Sequence, residues 1–117
     1  MRLPWLLSAL GLAALIAFLE FYALAEHLYW YYPWFDVPMH ILGGVVIATT
    51  LVALLRTFRP LWFFLSCAAV FIGWEIFEYQ VGIPRETNYA FDTALDLLDD
   101  AIGAILVYAV ARFSIWR

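Results

Sequence analysis

The sequence predicts an all-α membrane protein, a four-transmembrane-helix bundle with both termini in the cytoplasm. Hydrophobic residues make up 67% of the 117 residues and charged residues only 14%, whereas soluble domains are nearer half apolar and a quarter charged. A soluble fold of this size could not bury so much apolar surface. The apolar residues also fall into four long runs, at about 3–27, 37–56, 61–81 and 92–115, within one domain covering 1–117.

The first predicted span covers residues 3–27 and is apolar apart from Ser8, Glu20 and its last two residues. At ~1.5 Å per residue it is long enough for a hydrocarbon core of ~30 Å. A cleaved signal peptide is the alternative, since Arg2 precedes the run and Ala23-Leu24-Ala25 resembles a cleavage site. The run exceeds the usual apolar core of roughly 7–15 residues in such peptides, so we expect a retained span. The spacing of Glu20 and His27 places them on one face of this helix.

The second predicted span, residues 37–56, follows a cluster of Trp and Tyr at 29–35. Such aromatic residues are typical of a membrane–water interface. Asp36 and His40 are four residues apart and therefore share a helix face. The adjacent Gly43 and Gly44 let another helix approach closely.

The third predicted span, residues 61–81, ends in Trp74-Glu75-Ile76-Phe77-Glu78-Tyr79. Two glutamates three residues apart lie roughly 60° apart around a helix and so share a face. Acidic groups at membrane depth are costly and are kept mostly where they meet a partner, a metal or water. Cys67, the only cysteine in the chain, is expected to be a small buried hydrophobe.

The fourth predicted span, residues 92–115, carries four aspartates in its first half. Asp92, Asp96 and Asp99 form one stripe at helical spacing, with Asp100 beside it. Acidic residues in a first turn suit the helix dipole. That effect does not reach Asp99 and Asp100, which lie two turns into the helix.

Charge is sorted by side in this four-span arrangement. One side holds the arginines at 2, 56, 59, 112 and 117, and the other holds Arg85, every acidic residue and both histidines. The positive-inside rule then predicts a multi-pass protein of the cell inner (plasma) membrane with both termini in the cytoplasm. The acidic residues would lie toward the extracytoplasmic face.

These acidic residues have two interpretations. Those close to loops are expected to be solvated interfacial charges, namely Glu26, Asp36, Glu86 and Asp92. Those deeper in the helices would protonate or recruit a cation if left unpaired, unless they serve as polar packing between helices. We hypothesise a divalent-metal site whose ligands are His40, Glu75, Glu78, Asp96 and Asp100. Asp99 and His27 would be supporting or alternative ligands. One imidazole with several carboxylates suits Zn²⁺, Mn²⁺, Mg²⁺ or Fe²⁺ without distinguishing them.

Three classes of function are compatible with such a site. A metal-dependent hydrolase or transferase would activate water against an envelope lipid or lipid-linked substrate, with Glu78 or Asp99 as general base. A cation or proton transporter or channel would use the same carboxylates as a path. A structural or metal-binding membrane module needs no turnover. The confinement of the acids to one side favours binding or catalysis over conduction.

From the sequence we expect membrane lipid as a partner. We expect no binding of nucleic acid, because the acidic net charge and the membrane burial leave no basic surface for phosphates. A homodimer and a monomer both remain open. Four helices make a thin bundle, and Gly11, Gly43-Gly44 and Gly103 offer surfaces for close helix contact.

The chain also resembles known families. It resembles the YjdF-like inner-membrane proteins in three short motifs, which are Phe35-Asp36-x-Pro38-x-His40-x-x-Gly43-Gly44, Glu75-x-x-Glu78 and Asp92-Thr93-x-x-Asp96-x-x-x-Asp100-x-x-Gly103-Ala104. More loosely, it is similar to the VanZ-like pattern in Glu78-x-Gln80, Pro84-Arg85 and Asp96-x-x-x-Asp100-x-x-Gly103. The resemblance covers about Phe35 to Ala104. VanZ-like proteins tend to carry asparagine where this chain has Asp100, and they are associated with glycopeptide resistance at the cell envelope. The resemblance implies the helix count and the polar positions, and it names no reaction.

Overall fold

The computed structural model describes residues 2–55, 59–82 and 88–116. Three features of the sequence prediction lie outside these residues. They are Arg56 in the turn before the third span, the segment Pro84-Arg85-Glu86 in the acidic-side loop, and the last residue, Arg117.

The described chain folds into four long helices and one short one. They are α1 (Leu3–Ala25), α2 (Leu28–Tyr31), α3 (Asp36–Leu54), α4 (Pro60–Val81) and α5 (Tyr89–Ser114), with a single 3₁₀ turn at Pro33–Phe35 before α3. The long helices lie where the four apolar runs predicted them. Prolines open α1 and α4 at their first turns, where a missing backbone N–H costs nothing. The Asn88 side chain caps α5 by accepting a hydrogen bond from the Phe91 amide at 3.2 Å, as is typical of a helix N-terminus.

The helix α1 ends two residues earlier than the predicted limit at 27. His27 has a backbone φ of 56°, in the left-handed region that a non-glycine residue rarely adopts. The chain therefore turns at His27 instead of continuing α1, and its imidazole packs against the Trp30 ring with centroids 5.5 Å apart. The expected shared helix face of Glu20 and His27 is wrong for this reason.

The helix α3 is the centre of the bundle. It packs most extensively against α5, then against α1, and has a smaller contact with α4. The close approach of α3 to α5 depends on two glycines facing each other. A Cβ atom at Gly44 would overlap the backbone of Asp100, and a Cβ at Gly103 would overlap the backbone of Ile41 and Val45. The expected role of Gly44 and Gly103 in close helix contact is thus met inside one chain.

The apolar core lies toward the ends of α3 and α5 that are far from the acidic residues. Its buried members are Ala48, Val52, Phe63, Cys67, Phe71, Ala104, Val107, Ala111 and Trp116. Cys67 is a buried free thiol there, as expected. Arg2 closes this end of the bundle: its guanidinium donates hydrogen bonds to the carbonyls of Val52 at 2.7 Å and Leu55 at 2.5 Å. It also lies over the Trp116 ring, 5.6 Å from the centroid.

Among the described residues, three stretches are long and apolar enough to cross a membrane: Leu3–Ala25, Pro33–Leu54 and Pro60–Val81. The helix α5 has 26 residues but carries four aspartates in its first half, so it does not belong to this apolar class. The protein therefore has three apolar helices able to span a membrane and a fourth, acidic helix packed against the central one. The fourth crossing and the orientation of the termini stay predictions.

Candidate metal centre

The centre of the candidate site is the imidazole of His40, one turn into α3. Its Nε2 atom lies 3.6 Å from Asp36 Oδ1 and 3.5 Å from Asp96 Oδ1, and its Nδ1 atom lies 3.2 Å from Asp100 Oδ1. The His40 side chain is only 10% exposed. One ring is thus surrounded by three carboxylates that come from two helices.

Local helix geometry explains how these groups converge. Asp36 and His40 are one turn apart on α3, and Asp96 and Asp100 are one turn apart on α5, so each pair lies on a single helix face. The glycine contact between α3 and α5 presses the two faces together, because Gly44 lies directly against Asp100. Asp96 and Asp100 are both buried in consequence, with side chains 7% and 6% exposed.

The third helix, α4, contributes Glu75 and Glu78. Ligand atoms of Glu75 lie within 4.8 Å of His40 and Asp100, and one carboxylate oxygen each of Glu75, Glu78 and Asp96 lie within 4.8 Å of one another. Glu75 is 4% exposed. Among the described residues, its Oε1 atom is buried with no hydrogen-bond partner. The indole Nε1 of Trp74 donates a hydrogen bond of 2.8 Å to Glu78 Oε1 and holds that side chain in place.

These side chains line a cavity of about 690 Å³. All five predicted ligands border it, together with Asp36, Glu20 and Asp92. Apolar and aromatic residues of α1, α3 and α4 form much of the remaining wall, among them Ile16, Val46, Phe71 and Trp74. No arginine or lysine belongs to the part of the lining that the structure describes, so His40 is its only basic group there.

A second polar pair borders the same cavity from its α1 side. The Tyr29 hydroxyl donates a hydrogen bond of 2.5 Å to Glu20 Oε2. Tyr29 lies in the connection between the membrane-spanning stretches. Burial there, together with the Glu20 carboxylate, raises the pKa of the Tyr29 phenol far above its ordinary value.

The structure brings together His40, Glu75, Glu78, Asp96 and Asp100, the five residues named as ligands from the sequence. It does not add the two supporting residues. Within the described chain, Asp99 is buried but belongs to none of the metal-capable groups and does not border the cavity, and His27 is exposed and outside them too.

Asp36 is the residue that sequence reasoning undervalued. It was expected to be a solvated interfacial charge, yet it is half-buried, with a side chain 38% exposed, and joins His40 and Asp96 in a metal-capable group. The signal that could have identified it is its spacing of one helical turn from His40, on the same face.

The donor set suits a divalent cation. Two ligands that each bind one ion at about 2.1 Å lie roughly 3.0–3.4 Å apart in tetrahedral or octahedral geometry. The separations of 3.5 and 3.6 Å between His40 Nε2 and the two aspartates are close to that range. Glu75 has a further buried carboxylate oxygen, Oε1, without a hydrogen-bond partner among the described residues, and this residue belongs to the two other metal-capable groups. The protein thus presents buried acidic and histidine groups geometrically able to hold a metal.

Comparison with known proteins identifies the family. The family described as Predicted membrane protein (DUF2238) matches residues 1–117. The chain belongs to this family. The YjdF-like resemblance is the same family and is confirmed, whereas the looser VanZ-like similarity is not shown. No curated protein and no solved structure matches the chain.

Proposed function

We propose that this protein is a metal-dependent membrane enzyme, a hydrolase or transferase that acts on an envelope lipid or lipid-linked substrate. The observation that carries the proposal is the position of His40. Its buried ring faces three carboxylates from two helices, and a third helix contributes Glu75, whose Oε1 has no hydrogen-bond partner among the described residues. Helix bundles commonly hold metals with carboxylates and histidines directed inward from facing helices.

A divalent ion would remove the main electrostatic cost of this arrangement. Buried carboxylates without a cationic partner are strongly disfavoured at membrane depth, and no arginine or lysine borders the described part of the cavity. Oxygen-rich sites with one imidazole accept Mn²⁺, Zn²⁺, Fe²⁺ or Mg²⁺, and elemental analysis of the purified protein would distinguish them.

The proposed orientation places the site at the extracytoplasmic side of the plasma membrane. In the described chain, Arg2 and Arg112 both contact the end of the bundle at Trp116, and the acidic residues occupy the opposite end. Arginines concentrate on the cytoplasmic side of membrane proteins. The 26 residues of α5 extend for about 39 Å at 1.5 Å per residue, which is long enough for a fourth crossing.

The wall of the cavity supports an amphipathic substrate. It combines the carboxylate and histidine cluster with apolar side chains from α1 and α4 such as Ile16 and Phe71. Both of these helices pack on α3, while contact between the described parts of α1 and α4 is slight. We therefore propose that a lipid enters between α1 and α4, with its polar group toward His40 and its hydrocarbon along the apolar wall.

The residues take distinct roles in this proposal. The metal would supply Lewis acidity and a water of lowered pKa. Asp100 accepts a hydrogen bond from the Nδ1–H group of His40 and so orients the ring, as carboxylates do beside metal-binding histidines. In a site with one ion, Glu78, to which Trp74 donates a hydrogen bond, is the proposed general base. No serine or cysteine borders the described part of the cavity, so direct attack by water is preferred to a covalent intermediate on a side chain.

Conduction is the competing use of the same carboxylates. The half of the bundle away from the cavity is filled by the apolar core around Val52, Phe63 and Val107, and the sequence places no acidic residue in that half. A path across the membrane would need polar groups there. Cation or proton flux into liposomes that disappears in Glu75→Gln would favour transport over the proposed enzyme.

Metal analysis of protein purified from membranes without chelator tests the proposal. We expect bound divalent metal in the wild type and a lower metal content in the double variant Glu75→Gln/Glu78→Gln. Glu20→Gln is the matched control, because Glu20 borders the same cavity but lies in none of the metal-capable groups of the described residues. Equal metal content in the wild type and the double variant would refute the metal centre.

A second arm of this experiment addresses turnover. Wild-type protein in vesicles of bacterial phospholipid would release a water-soluble phosphate-bearing headgroup, lose that activity with a chelator and regain it with Mn²⁺. Metal binding without release of a headgroup from phospholipids or from lipid-linked sugars would refute the enzyme and leave a metal-binding membrane module.

A further inference from the structure

The three metal-capable groups of the described residues overlap in a specific way. One contains Asp36, His40 and Asp96, the second His40, Glu75 and Asp100, and the third Glu75, Glu78 and Asp96. The first and third share no residue except Asp96. This carboxylate therefore lies between two separate sets of ligands, one on the α3 side of the cavity and one on the α4 side.

The first two groups contain aspartates that lie near different nitrogens of His40. A carboxylate oxygen only accepts hydrogen bonds, so the 3.2 Å contact between Nδ1 and Asp100 requires the proton on Nδ1. The Nε2 lone pair then faces Asp36 and Asp96, at 3.6 and 3.5 Å. His40 is thus a ligand toward the α3 side, and Asp100 positions it.

The third group is a complete ligand set without histidine. Glu75 and Glu78 are one turn apart on α4 and meet Asp96 of α5. The buried Glu75 Oε1 has no hydrogen-bond partner among the described residues. A carboxylate in a residue only 4% exposed is costly to keep ionised without a cation, and otherwise it binds a proton. An ion bound by His40 Nε2 and Asp36 would leave Glu75 and Glu78 of α4 without a cation, because neither belongs to the group of Asp36, His40 and Asp96.

The charge of the cluster leads to the same result. The members of the three groups are one histidine and five carboxylates, Asp36, Glu75, Glu78, Asp96 and Asp100. With these ionised and the histidine neutral, one divalent cation leaves three negative charges uncompensated, whereas two cations leave one. Uncompensated charge at low dielectric is costly, so it must be offset by a second ion or by protons, and the third group supplies the ligands for an ion.

We propose that the site is dinuclear, with one ion held by Asp36, His40 and Asp96, a second held by Glu75, Glu78 and Asp96, and the Asp96 carboxylate bridging them. This inference rests on the proposed metal centre and deepens it. In two-metal sites the ions lie about 3.5–4 Å apart and together stabilise the attacking and leaving oxygens of a phosphoryl displacement. Among the reactions that such pairs serve, displacement at a phosphate ester suits this cavity, where the substrate would be the headgroup linkage of a phospholipid or a lipid-linked phosphate.

Mn²⁺ titration of the full-length wild-type protein in detergent, after removal of its metal by a chelator, tests the inference. Bound metal is counted by elemental analysis, and electron paramagnetic resonance reports magnetic coupling between neighbouring Mn²⁺ ions. We expect two Mn²⁺ per chain with a coupled spectrum. Asp36→Asn and Glu78→Gln each remove a different ion, so each is expected to bind one Mn²⁺ with an uncoupled spectrum.

Asp96→Asn and Asp99→Asn form a matched pair on α5, since both aspartates are buried but only Asp96 belongs to the metal-capable groups found in the described chain. We expect Asp96→Asn to lose at least one ion and all coupling, and Asp99→Asn to keep two coupled ions. Equal behaviour of the two variants would overturn the bridge.

The number of Mn²⁺ ions that the wild-type chain binds is enough to distinguish the dinuclear site from the single-metal enzyme. The test therefore does not depend on the folding of any variant. Saturation at one Mn²⁺ per chain overturns the dinuclear site and leaves the single-metal enzyme. Two ions without coupling overturn the shared Asp96 carboxylate. No bound Mn²⁺ overturns both the dinuclear site and the proposed function.

Discussion

The glycine contact between α3 and α5 allows the sharpest test of how the fold supports the site. In Gly44→Ala, the new Cβ atom would overlap the carbonyl oxygen of Asp100 and would lie 2.9 Å from its carbonyl carbon and 3.0 Å from its Cα atom. Carbon atoms in ordinary contact are about 3.5–4.0 Å apart, so α5 must move away by at least about 0.5 Å.

The magnitude of that displacement decides the outcome. Metal sites hold ligand distances to within about 0.2 Å, so a shift of about 0.5 Å at Asp100 and Asp96 exceeds what the site tolerates. The contact of 3.2 Å between His40 and Asp100 would lengthen beyond a good hydrogen bond. We expect Gly44→Ala to lose most of its bound metal and about 1–3 kcal/mol of stability, as overpacked helix contacts do.

Gly73→Ala is the matched control, because a Cβ at Gly73 in α4 meets no described atom within 4 Å. Exchange of glycine for alanine in an open helical position is neutral or stabilising by up to about 1 kcal/mol. The assay is elemental analysis combined with thermal unfolding in detergent for both variants. If Gly44→Ala retains full metal content and stability, the reasoning from the α3–α5 contact is wrong.

Three further predictions concern single side chains. Asp100→Asn keeps an oxygen that can accept the hydrogen bond from His40 Nδ1–H, whereas Asp100→Ala does not. Competition with a chelating dye should therefore show a much smaller loss of metal affinity for Asp100→Asn than the roughly 10–100-fold loss expected for Asp100→Ala. Burial raises the pKa of Tyr29 above its value in the unfolded chain, so at high pH the unfolded chain binds fewer protons than the folded one and stability falls as the pH rises above about 10. In chemical unfolding, Tyr29→Phe should therefore lose less stability than the wild type between pH 9 and 11.5. Arg2→Gln removes charged hydrogen bonds to two carbonyls at the end of α3, and each such bond is worth about 1.5–3 kcal/mol before solvent screening. The unfolding temperature should therefore fall while the metal content stays unchanged.

Much of this architecture could be predicted from the sequence. Length and apolar composition located α1, α3 and α4, because a run of about 20 apolar residues has few alternatives to a membrane helix. The fourth run located α5 although its first half carries four aspartates. Spacing of three or four residues correctly paired Glu75 with Glu78 and Asp96 with Asp100, since such neighbours share a helix face whatever the helix packs against.

The rest depended on information that spacing does not contain. Asp99 and Asp100 differ by one residue, or about 100° around α5, and which of them faces His40 is decided by the approach of α3 at Gly44. Asp36 lies at the start of α3, where a residue beside a loop is usually solvated, and it joins the cluster only because α5 packs alongside. The exclusion of His27 follows from the left-handed turn that ends α1, which no glycine or proline signals.

The most direct test of the central claim is the anomalous X-ray density of crystals grown with Mn²⁺. We expect a peak within about 2.0–2.3 Å of His40 Nε2, bordered by Asp36 and Asp96, with a second peak at Glu75 and Glu78 if the site is dinuclear. A map in which His40 and the surrounding carboxylates bind no ion at saturating Mn²⁺ would contradict the account.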